Sequence, residues 1–311
     1  MKIYMAPLEG VTNYVFRKIY VKHFKGVDKF FTPFITPHLK RGFSKSEKME
    51  IDREYNYGQN LIPQILTNSA SDFLKLTDEI GQMGYKEFNI NLGCPSGTVT
   101  SKKKGAGFLT DPIALDNFLY EIFEKKRDIK ISIKTRIGFC DYEEWEGLVD
   151  IYKKYEFSEI IIHPRLRTDF YKNTVYLPAF KYALDHLGQD IIYNGDINTV
   201  DDYKQISKKI SKTGMEFKNS RDGLNNIMLG RGLVKNPLLA ESINDNKEYY
   251  DIKRTVCFLD EIKDEYLSLD FGERNTLFKL KELWGMILEN DYKDLKILKE
   301  LRKSNNIRDY E

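Results

Sequence analysis

The chain has 311 residues, of which 41% are hydrophobic and 13% aromatic, and its 49 Lys and Arg against 47 Asp and Glu give a net charge of +2. This composition excludes a disordered chain, and the balance of charge excludes a uniformly basic protein that coats nucleic acid. No apolar run reaches the ~18 residues of a transmembrane helix and the N-terminus has no apolar signal-peptide core, so we expect no membrane contact and a cytoplasmic location.

Eight short apolar runs predict strands, and most intervals between them predict amphipathic helices. The predicted strands are Ile3–Ala6, Lys29–Pro33, Leu61–Leu66, Glu87–Asn91, Lys130–Thr135, Glu159–His163, Asp190–Asn194 and Asn226–Leu229. The predicted helices are Thr12–His23, Ala70–Met83, Pro112–Lys126, Tyr142–Tyr155, Val175–His186 and Val200–Lys212. Because such alternation gives parallel strands joined by right-handed crossovers, we expect an α/β fold, a TIM (β/α)8 barrel, over residues 1–242.

The pattern changes after Leu239, where helical periodicity continues without any strand signal. Amphipathic helices are predicted at Ile252–Leu267, Asn275–Leu288 and Tyr292–Lys303. We therefore expect a small all-helical domain over residues 243–311, and a monomer built from the two domains.

Polar or charged residues stand at the C-terminal ends of seven predicted strands. In a TIM barrel these ends meet at one mouth, where the active site lies. Ordinary loop residues would explain one or two of these positions but not seven in succession. The residues are Pro7, Gln64, Asn91, Lys134, Arg136, His163, Arg165, Asn194 and Arg231.

Two glycine motifs predict a phosphate site. Asn194-Gly195-Asp196 follows the seventh strand and Gly230-Arg231-Gly232 follows the eighth, where barrels of this class bind phosphate. Glycine lets backbone N–H groups approach an anion, and arginine adds a fork of donors. Either motif alone reads equally well as a turn glycine beside a surface arginine, whereas the two together favour phosphate.

Lys134 interrupts the apolar strand Ile131-Ser132-Ile133-Lys134-Thr135 and is expected to point into the barrel mouth. Because burial of an ammonium requires an anion or a polarised acceptor, a negative group is expected beside it. A reduced flavin fits, since its charge concentrates at N1 and O2. Gln64 and His163 could hold the rest of the ring, although a structural role for His163 is an equal alternative.

Cys94 stands in Asn91-Leu92-Gly93-Cys94-Pro95, ahead of a basic loop that contains Lys102–Lys104. On an active-site loop it could act as a thiolate nucleophile or, protonated, as a general acid. The three cysteines have no C-x-x-C spacing, so we expect neither a disulfide framework nor a metal site. Cys140 and Cys257 are predicted to be buried and inert.

Six motifs in order resemble the signature of the tRNA-dihydrouridine synthases. They are Met5-Ala6-Pro7-Leu8-Glu9-Gly10-Val11-Thr12-Asn13, Asn91-Leu92-Gly93-Cys94-Pro95 with Lys104-Gly105-Ala106-Gly107, Lys134-Thr135-Arg136, His163-Pro164-Arg165, Asn194-Gly195-Asp196 and Leu229-Gly230-Arg231-Gly232. The resemblance extends to the tail, where Phe278-Lys279-Leu280-Lys281-Glu282-Leu283-Trp284 is similar to the basic-aromatic helix of the family's small domain.

The resemblance implies an FMN-dependent enzyme that uses NADPH to reduce the C5–C6 bond of selected uridines in tRNA. The implied FMN contacts are Pro7, Gln64, Lys134, His163, Asn194, Gly195, Asp196, Gly230 and Arg231. Asn91, Arg136 and Arg165 would face the target uracil, and Cys94 would protonate C5 after hydride reaches C6. Lys279 and Lys281 would contact tRNA, as would a basic rim that includes Lys102–Lys104, Arg167 and Lys172.

Some residues depart from the family pattern. His163-Pro164-Arg165 replaces a frequent His-Gly-Arg, Leu8-Glu9 replaces a usual Met-Ala or Met-Glu pair, and Met215–Asn225 enlarges the approach to the last strand. None of these changes removes a reacting group. Two alternatives stay open: a dihydroorotate-dehydrogenase-like reductase of a free pyrimidine, which has no evident use for the helical tail, and a flavin-free tRNA-binding protein, against which Cys94, Lys134 and His163 argue.

Overall fold

The computed structural model describes residues 1–37, 42–211, 224–269, 271–290 and 295–310. Its strands are β1 (Lys2–Met5), β2 (Lys29–Phe31), β3 (Leu61–Ile62), β4 (Gln64–Ile65), β5 (Glu87–Leu92), β6 (Lys130–Arg136), β7 (Glu159–His163), β8 (Asp190–Tyr193) and β9 (Asn226–Leu229). All pair in parallel, in the order β3-β2-β1-β9-β8-β7-β6-β5-β4.

The barrel closes through one interrupted strand. The run Leu61–Leu66, predicted as a single strand, forms β3 and β4 on either side of Pro63, whose nitrogen has no hydrogen to donate to a ladder. β3 pairs with β2 and β4 pairs with β5, so the two ends of the strand order are neighbours in the sequence. The predicted TIM barrel is confirmed, with its third strand split in two.

Helices cover the outside of the barrel and form the C-terminal tail. They are α1 (Tyr14–His23), α2 (Lys45–Ile51), α3 (Ala70–Gly81), α4 (Gly97–Thr100), α5 (Pro112–Lys125), α6 (Glu144–Tyr152), α7 (Leu177–His186), α8 (Val200–Ser211), α9 (Arg231–Lys235), α10 (Leu239–Asn244), α11 (Ile252–Ser268), α12 (Glu273–Asn290), α13 (Leu295–Lys303) and α14 (Ile307–Tyr310), with a 3-10 helix at Gly105–Thr110. Within the described ranges, no helix is long and apolar enough to cross a membrane.

The six barrel helices predicted from periodicity are present, with ends shifted by at most three residues. Short helices such as α2 and α10 were not predicted, because six or seven residues are too few to show a helical period. The predicted enlargement at Met215–Asn225 falls mostly outside the described residues, because the structure does not describe residues 212–223.

Strand alternation decides which side chains reach the barrel interior. On β6 the polar Ser132 and Lys134 alternate with Ile131 and Ile133, which belong to the core between the barrel and its helices. A separate apolar cluster fills the interior and contains Tyr4, Ala6, Phe31, Ile62, Ile161, Ile192 and Met228. Lys134 is thus directed to the inside of the barrel by its register in an otherwise apolar strand.

The helical tail packs against the barrel through α11 and α1. Phe258 of α11 meets Phe16 with ring centroids 5.3 Å apart, and Lys18 Nζ lies 2.6 Å from Glu265 Oε1. Helix α12 also contacts α9, which follows the last strand. Residue 243, the predicted boundary, falls inside α10, so the division into 1–242 and 243–311 stays a prediction.

Arg17 is a buried cation that ties α1 to α2 and to the segment that follows α2. Its guanidinium donates to Glu50 Oε2 at 2.9 Å and to Asn56 Oδ1 at 2.8 Å, and it also reaches the Thr12 carbonyl at 2.9 Å. The Arg17 side chain is fully buried and that of Glu50 is 9% exposed. Removal of either partner would leave the other charge without compensation in a dry environment.

We expect Arg17→Met to lower the free energy of unfolding by about 3–5 kcal/mol, because the Glu50 carboxylate would stay buried without its partner. Lys22→Met is the control, since Lys22 pairs with Glu261 at 3.2 Å on the surface, and such a pair is worth under about 1 kcal/mol. Urea unfolding followed by tryptophan fluorescence measures both. Equal losses in the two variants would contradict the assigned role of the buried pair.

Candidate active site

Two adjoining cavities open at the C-terminal ends of the strands. The larger one, the mouth cavity, has a volume of about 450 Å³ and its walls include Glu9, Asn91, Cys94, Arg136 and Met286. The smaller one, the cradle, is lined by Asn194, Gly195, Asp196, Gly230, Arg231 and Gly232. Pro7, Lys134, His163 and Tyr171 line both, so the two cavities form one continuous site.

Backbone segments approach each other in the cradle where a side chain would not fit. A Cβ on Gly232 would lie 2.1 Å from the Ile197 carbonyl oxygen, and a Cβ on Gly195 would lie 2.9 Å from Val175 Cγ1. Glycine therefore lets the loops after β8 and β9 converge. Helix α9 begins at Arg231, so the N–H groups of its first turn, which have no partner within the helix, lie beside the cradle.

Two arginines hold the carboxylate of Asp196. Arg165 binds both of its oxygens, Oδ1 at 3.0 Å through Nη1 and Oδ2 through Nη2, and Arg231 Nη2 lies 3.2 Å from Oδ1. Asp196 has a φ of +27°, so the ion pairs fix a residue with a strained backbone. Arg165, predicted to face the substrate, lines neither cavity, because its guanidinium turns inward to Asp196 and His163.

Lys134 brings an ammonium to the junction of the two cavities. Its Nζ forms no hydrogen bond and no ion pair with any residue in the described part of the chain. Burial lowers the pKa of Lys134 to about 8, with Arg136 acting in the same direction and Cys94 opposing. An anion placed at this junction would therefore be stabilised, and would stabilise the lysine in return.

His163 is held as a neutral imidazole. Its Nε2 lies 3.0 Å from Arg165 Nη1, and since the guanidinium can only donate, Nε2 is the acceptor. Burial lowers the pKa of His163 well below its usual value, and the cations Arg136 and Lys134 add to this effect. The proton is therefore assigned to Nδ1, and His163 can offer a hydrogen-bond donor to a ligand.

A chain of side-chain hydrogen bonds, which we call the amide chain, crosses the barrel interior. Asn89 Nδ2 donates to Ser132 Oγ at 2.9 Å, and Gln64 Nε2 donates to Asn89 Oδ1 at 2.8 Å. Asn91 Nδ2 donates to Gln64 Oε1 at 2.8 Å, and Asn91 Oδ1 accepts the Cys94 N–H at 2.9 Å. Because every donor points the same way, each amide has one orientation and the turn that carries Cys94 is fixed.

The sequence analysis did not identify Asn89 and Ser132 as site residues, although both belong to the amide chain. The available signal was the alternation of Asn89 and Asn91 on β5, which puts both on the interior face. Gln64 and Asn91 lie where the prediction expects them, at the mouth cavity. Much of their hydrogen-bonding capacity is already used within the amide chain, which leaves each with one amide N–H for a ligand.

Arg136 lines the mouth cavity and also holds two loops together. Its Nε donates to the Gly93 carbonyl at 3.0 Å, and its Nη1 donates to the Leu166 carbonyl at 2.7 Å. A third bond joins Nη2 to the Phe170 carbonyl at 2.9 Å. The side chain is 1% exposed, so it presents a fixed positive charge to the cavity rather than a mobile one.

The Cys94 thiol opens onto the mouth cavity. Burial raises the pKa of Cys94, and the nearby Glu9 carboxylate adds to the rise. A backbone hydrogen bond at Ser96 and the charges of Lys134 and Arg136 act in the opposite direction. Because the net pKa is raised, the thiol is held protonated at neutral pH, which suits a proton donor better than a nucleophile.

The other two cysteines are exposed, so the prediction that they are buried is wrong. Cys140 lies in the loop after β6, where its Sγ is 3.4 Å from Glu144 Oε1, and that carboxylate raises the pKa of Cys140. Cys257 lies on α11 between Val256 and Phe258, and it faces away from the core that Phe258 enters. A helix position next to a buried residue points elsewhere, which composition alone does not reveal.

Tyr171 is a site residue that the sequence analysis missed. Its ring centroid lies 4.5 Å from Arg231 Cζ and 5.4 Å from Arg136 Cζ, and 5.8 Å from the centre of the His163 ring. The residue is 45% exposed although it lines both cavities. Its place eight residues beyond His163 on a mouth loop was the only available signal.

The lysines predicted to contact tRNA line neither cavity. Lys279 Nζ donates to the Gly10 carbonyl at 2.6 Å and pairs with Glu282 at 3.0 Å. Lys281 Nζ donates to the Arg302 carbonyl at 3.0 Å, at the end of α13. Their predicted RNA contacts stay predictions, and the tail residue that does reach the mouth cavity is Met286, which no sequence signal marked.

The fold and the site define a TIM-barrel protein whose candidate active site lies at the C-terminal mouth of the barrel. Residues 4–264 match the dihydrouridine synthase family, and the chain belongs to that family of flavin-dependent enzymes. Two relatives are similar along most of their length. A probable tRNA-dihydrouridine synthase of Staphylococcus epidermidis is 27% identical over 296 residues, 89% of this chain and 83% of the relative. The probable tRNA-dihydrouridine synthase 2 of Bacillus subtilis is 27% identical over 274 residues, 84% of this chain and 78% of the relative.

Among solved structures, a variant of NCR from Zymomonas mobilis has a fold similar to that of this chain. It superposes with a TM-score of 0.53 at 11% sequence identity, covering 80% of this chain and 88% of that one. At this identity the likeness shows a shared barrel and carries no inference about the reaction.

We expect Lys134→Met to raise the free energy of unfolding of flavin-free protein at pH 7. The pKa of Lys134 falls from 10.5 to about 8 on folding, which at about 1.4 kcal/mol per pH unit corresponds to roughly 3 kcal/mol. Between pH 8 and 10.5 the unfolded lysine binds more protons than the folded one, so wild-type stability rises with pH and the difference from Lys134→Met shrinks. Urea unfolding of wild type and Lys134→Met at pH 8 and at pH 10.5 checks this. If the two proteins differed in stability by the same amount at both pH values, the assigned cost of burying Lys134 would be refuted.

Proposed function

We propose that this protein reduces selected uridines of tRNA to dihydrouridine, with FMN as cofactor, NADPH as reductant and Cys94 as the proton donor. The observation that carries the proposal is the placement of two groups on one cavity that adjoins a glycine cradle. They are the Cys94 thiol, whose pKa is raised, and the Lys134 ammonium, which has no partner in the described part of the chain. Family membership supports the reaction, and the names of the curated relatives support tRNA as the substrate.

The residues at the site fit FMN. Gly195 and Gly232 let neighbouring segments converge around the small cavity of the cradle, where a phosphate would bind, and Arg231 supplies a donor fork there. Lys134 would meet the negative edge of the ring, while His163 Nδ1 and the free amide N–H of Gln64 would donate to ring acceptors. When bound, FMN supplies the hydride that NADPH provides.

Reduction of uracil requires a hydride at C6 and a proton at C5, and these two additions consume the C5–C6 double bond. Cys94 would give the proton, which leaves a thiolate that takes up another proton from solvent before the next turnover. Lys134 and Arg136 keep positive charge on the cavity wall, where the enolate oxygen of the partly reduced base would develop. The fixed Asn91 amide holds the Cys94 turn in place for this step.

A uridine must leave its stack to reach Cys94, because the thiol lies inside the barrel mouth. The loop with Lys102 and Lys103 lies exposed at the same end of the barrel, and Lys172 is also exposed there. Arg167 Nε donates to the Pro95 carbonyl at 3.2 Å, which links the rim to the Cys94 turn. We assign tRNA binding to this local basic rim, since the whole chain is nearly neutral.

Nucleotide-resolved mapping of dihydrouridine in tRNA from cells that lack this protein tests the proposal. We expect one or a few positions to lose the modification, and we expect the purified protein to be yellow and to restore those positions with NADPH. Folded but colourless protein would refute the flavin assignment. Reduction of free pyrimidines without reduction of tRNA would favour the dihydroorotate-dehydrogenase-like alternative.

We expect Cys94→Ala to slow dihydrouridine formation by roughly 10²- to 10⁴-fold, the usual contribution of a positioned general acid. Flavin content and the rate of flavin reduction by NADPH should stay at wild-type levels, since the thiol serves only the proton step. Cys140→Ala is the matched control, because Cys140 is an exposed cysteine on a neighbouring mouth loop. An unchanged rate in Cys94→Ala, measured in single turnovers of pre-reduced enzyme, would assign the proton to another group.

A further inference from the structure

Glu9 is a carboxylate on a cavity wall that is otherwise cationic or neutral. It lines the mouth cavity together with Lys134, Arg136 and Arg231. Among the described residues that line this cavity it is the only acidic side chain. Glu9 forms no hydrogen bond and no ion pair with any other residue that the structure describes. Its charge helps to keep the Cys94 thiol protonated, but neither the proton transfer nor the cradle uses it as a direct partner of a ligand.

The turn that carries Glu9 is held rigidly from both sides. Leu8 N donates to Thr12 Oγ1 at 2.8 Å, and the Leu8 carbonyl accepts the Thr12 N–H at 3.0 Å. Gly10 has a φ of +74°, and its carbonyl accepts a 2.6 Å hydrogen bond from Lys279 of the helical tail. Glu9 is therefore presented to the cavity by a preorganised turn rather than by a loose loop.

The hydrogen-bonding pattern of uracil explains why such a cavity needs an acceptor. O2 and O4 of the base accept hydrogen bonds, and the cations and amide N–H groups of the wall can supply those. N3–H, between the two carbonyls, is a donor and needs an acceptor in return. Asn91 Oδ1 already accepts the N–H groups of Gly93 and Cys94, and Gln64 Oε1 accepts Asn91 Nδ2. The two carboxylate oxygens of Glu9 therefore offer the greatest unused acceptor capacity of these three side chains.

We propose that Glu9 accepts the N3–H hydrogen bond of the target uracil and thereby selects uridine at this site. The assignment deepens the proposed function and rests on it. Cytosine would turn an N3 lone pair toward the carboxylate and be repelled, and a methyl group on N3 would remove the donor. Glu9 is exposed to the open cavity. Partial desolvation and the Glu50 carboxylate raise the pKa of Glu9 while Lys279 opposes the rise, so a hydrogen-bond donor from a ligand would stabilise the carboxylate.

The test compares two variants that differ in whether an acceptor remains. Glu9→Met keeps the length of the side chain without the oxygen, whereas Glu9→Gln keeps an oxygen without the charge. Glu273→Gln is the matched control, since Glu273 is an exposed carboxylate in the first turn of α12, the helix that carries Met286. The substrates are a tRNA transcript with uridine at the mapped position and the same transcript with N3-methyluridine there.

Glu9→Met should lower kcat/KM for uridine roughly 10- to 100-fold, the usual effect of losing a hydrogen bond to a charged group. Glu9→Gln and Glu273→Gln should stay within a few-fold of wild type. Wild-type enzyme should prefer uridine over N3-methyluridine by at least about tenfold, and this preference should collapse in Glu9→Met. Flavin absorbance and melting temperature serve as folding controls, and Glu9→Ala replaces any Glu9→Met protein that fails them.

Wild-type kcat/KM in Glu9→Met, or an unchanged preference against N3-methyluridine, would overturn the role of Glu9 while leaving the proposed function intact. If wild-type enzyme forms no dihydrouridine in any tRNA, the proposed function fails and the assignment of Glu9 falls with it. Whether wild-type enzyme forms dihydrouridine in tRNA therefore distinguishes the two failures. Equal loss of activity in Glu9→Met and Glu9→Gln would also reject the acceptor role, in favour of a requirement for charge.

Discussion

The rest of the site depends on one constraint, the Lys134 ammonium, which has no partner among the residues that the structure describes. An apolar strand carries it into the barrel by register, and burial disfavours its charge. A negative group that bound beside it would offset this cost. The cradle beside it also suits an anion, because glycines let its loops converge around a small cavity and Arg231 lines that cavity. Asp196 meets only part of the positive charge, since Arg165 and Arg231 share it.

Local patterns in the sequence were sufficient to predict the fold. Period-two runs and 3.6-residue helices are properties of short segments, so the barrel and the tail helices could be predicted before any contact was known. The split at Pro63 shows the limit, because an apolar run looks continuous until the lost donor is placed in a ladder. Lys134 and Cys94 could also be recognised from local sequence. Lys134 is a charged residue in an apolar strand, and Cys94 is a cysteine in the loop after a strand at the barrel mouth.

Contacts between distant segments decided the rest of the site and could not be read from the chain. Arg165 follows His163 by two residues, yet its guanidinium turns to Asp196, 31 residues away, rather than to the cavity. Asn89 and Ser132 matter through partners on other strands, and Met286 reaches the mouth from the tail. Side chains that a motif assigns to a ligand are here bonded to one another, which fixes the few donors that remain free.

The helical tail and the barrel both line the mouth cavity, so the position of the tail affects the shape of the active site. Lys279 binds the Gly10 carbonyl, and Gly10 follows Glu9 on the turn that lines the mouth cavity. Met286 lies seven residues beyond Lys279, two helical turns along the same face of α12, and reaches that cavity as well. A shift of α12 would therefore move one wall and the carboxylate turn together. Tail and active site are coupled by direct contacts, so the tail shapes the pocket as well as the approach to it.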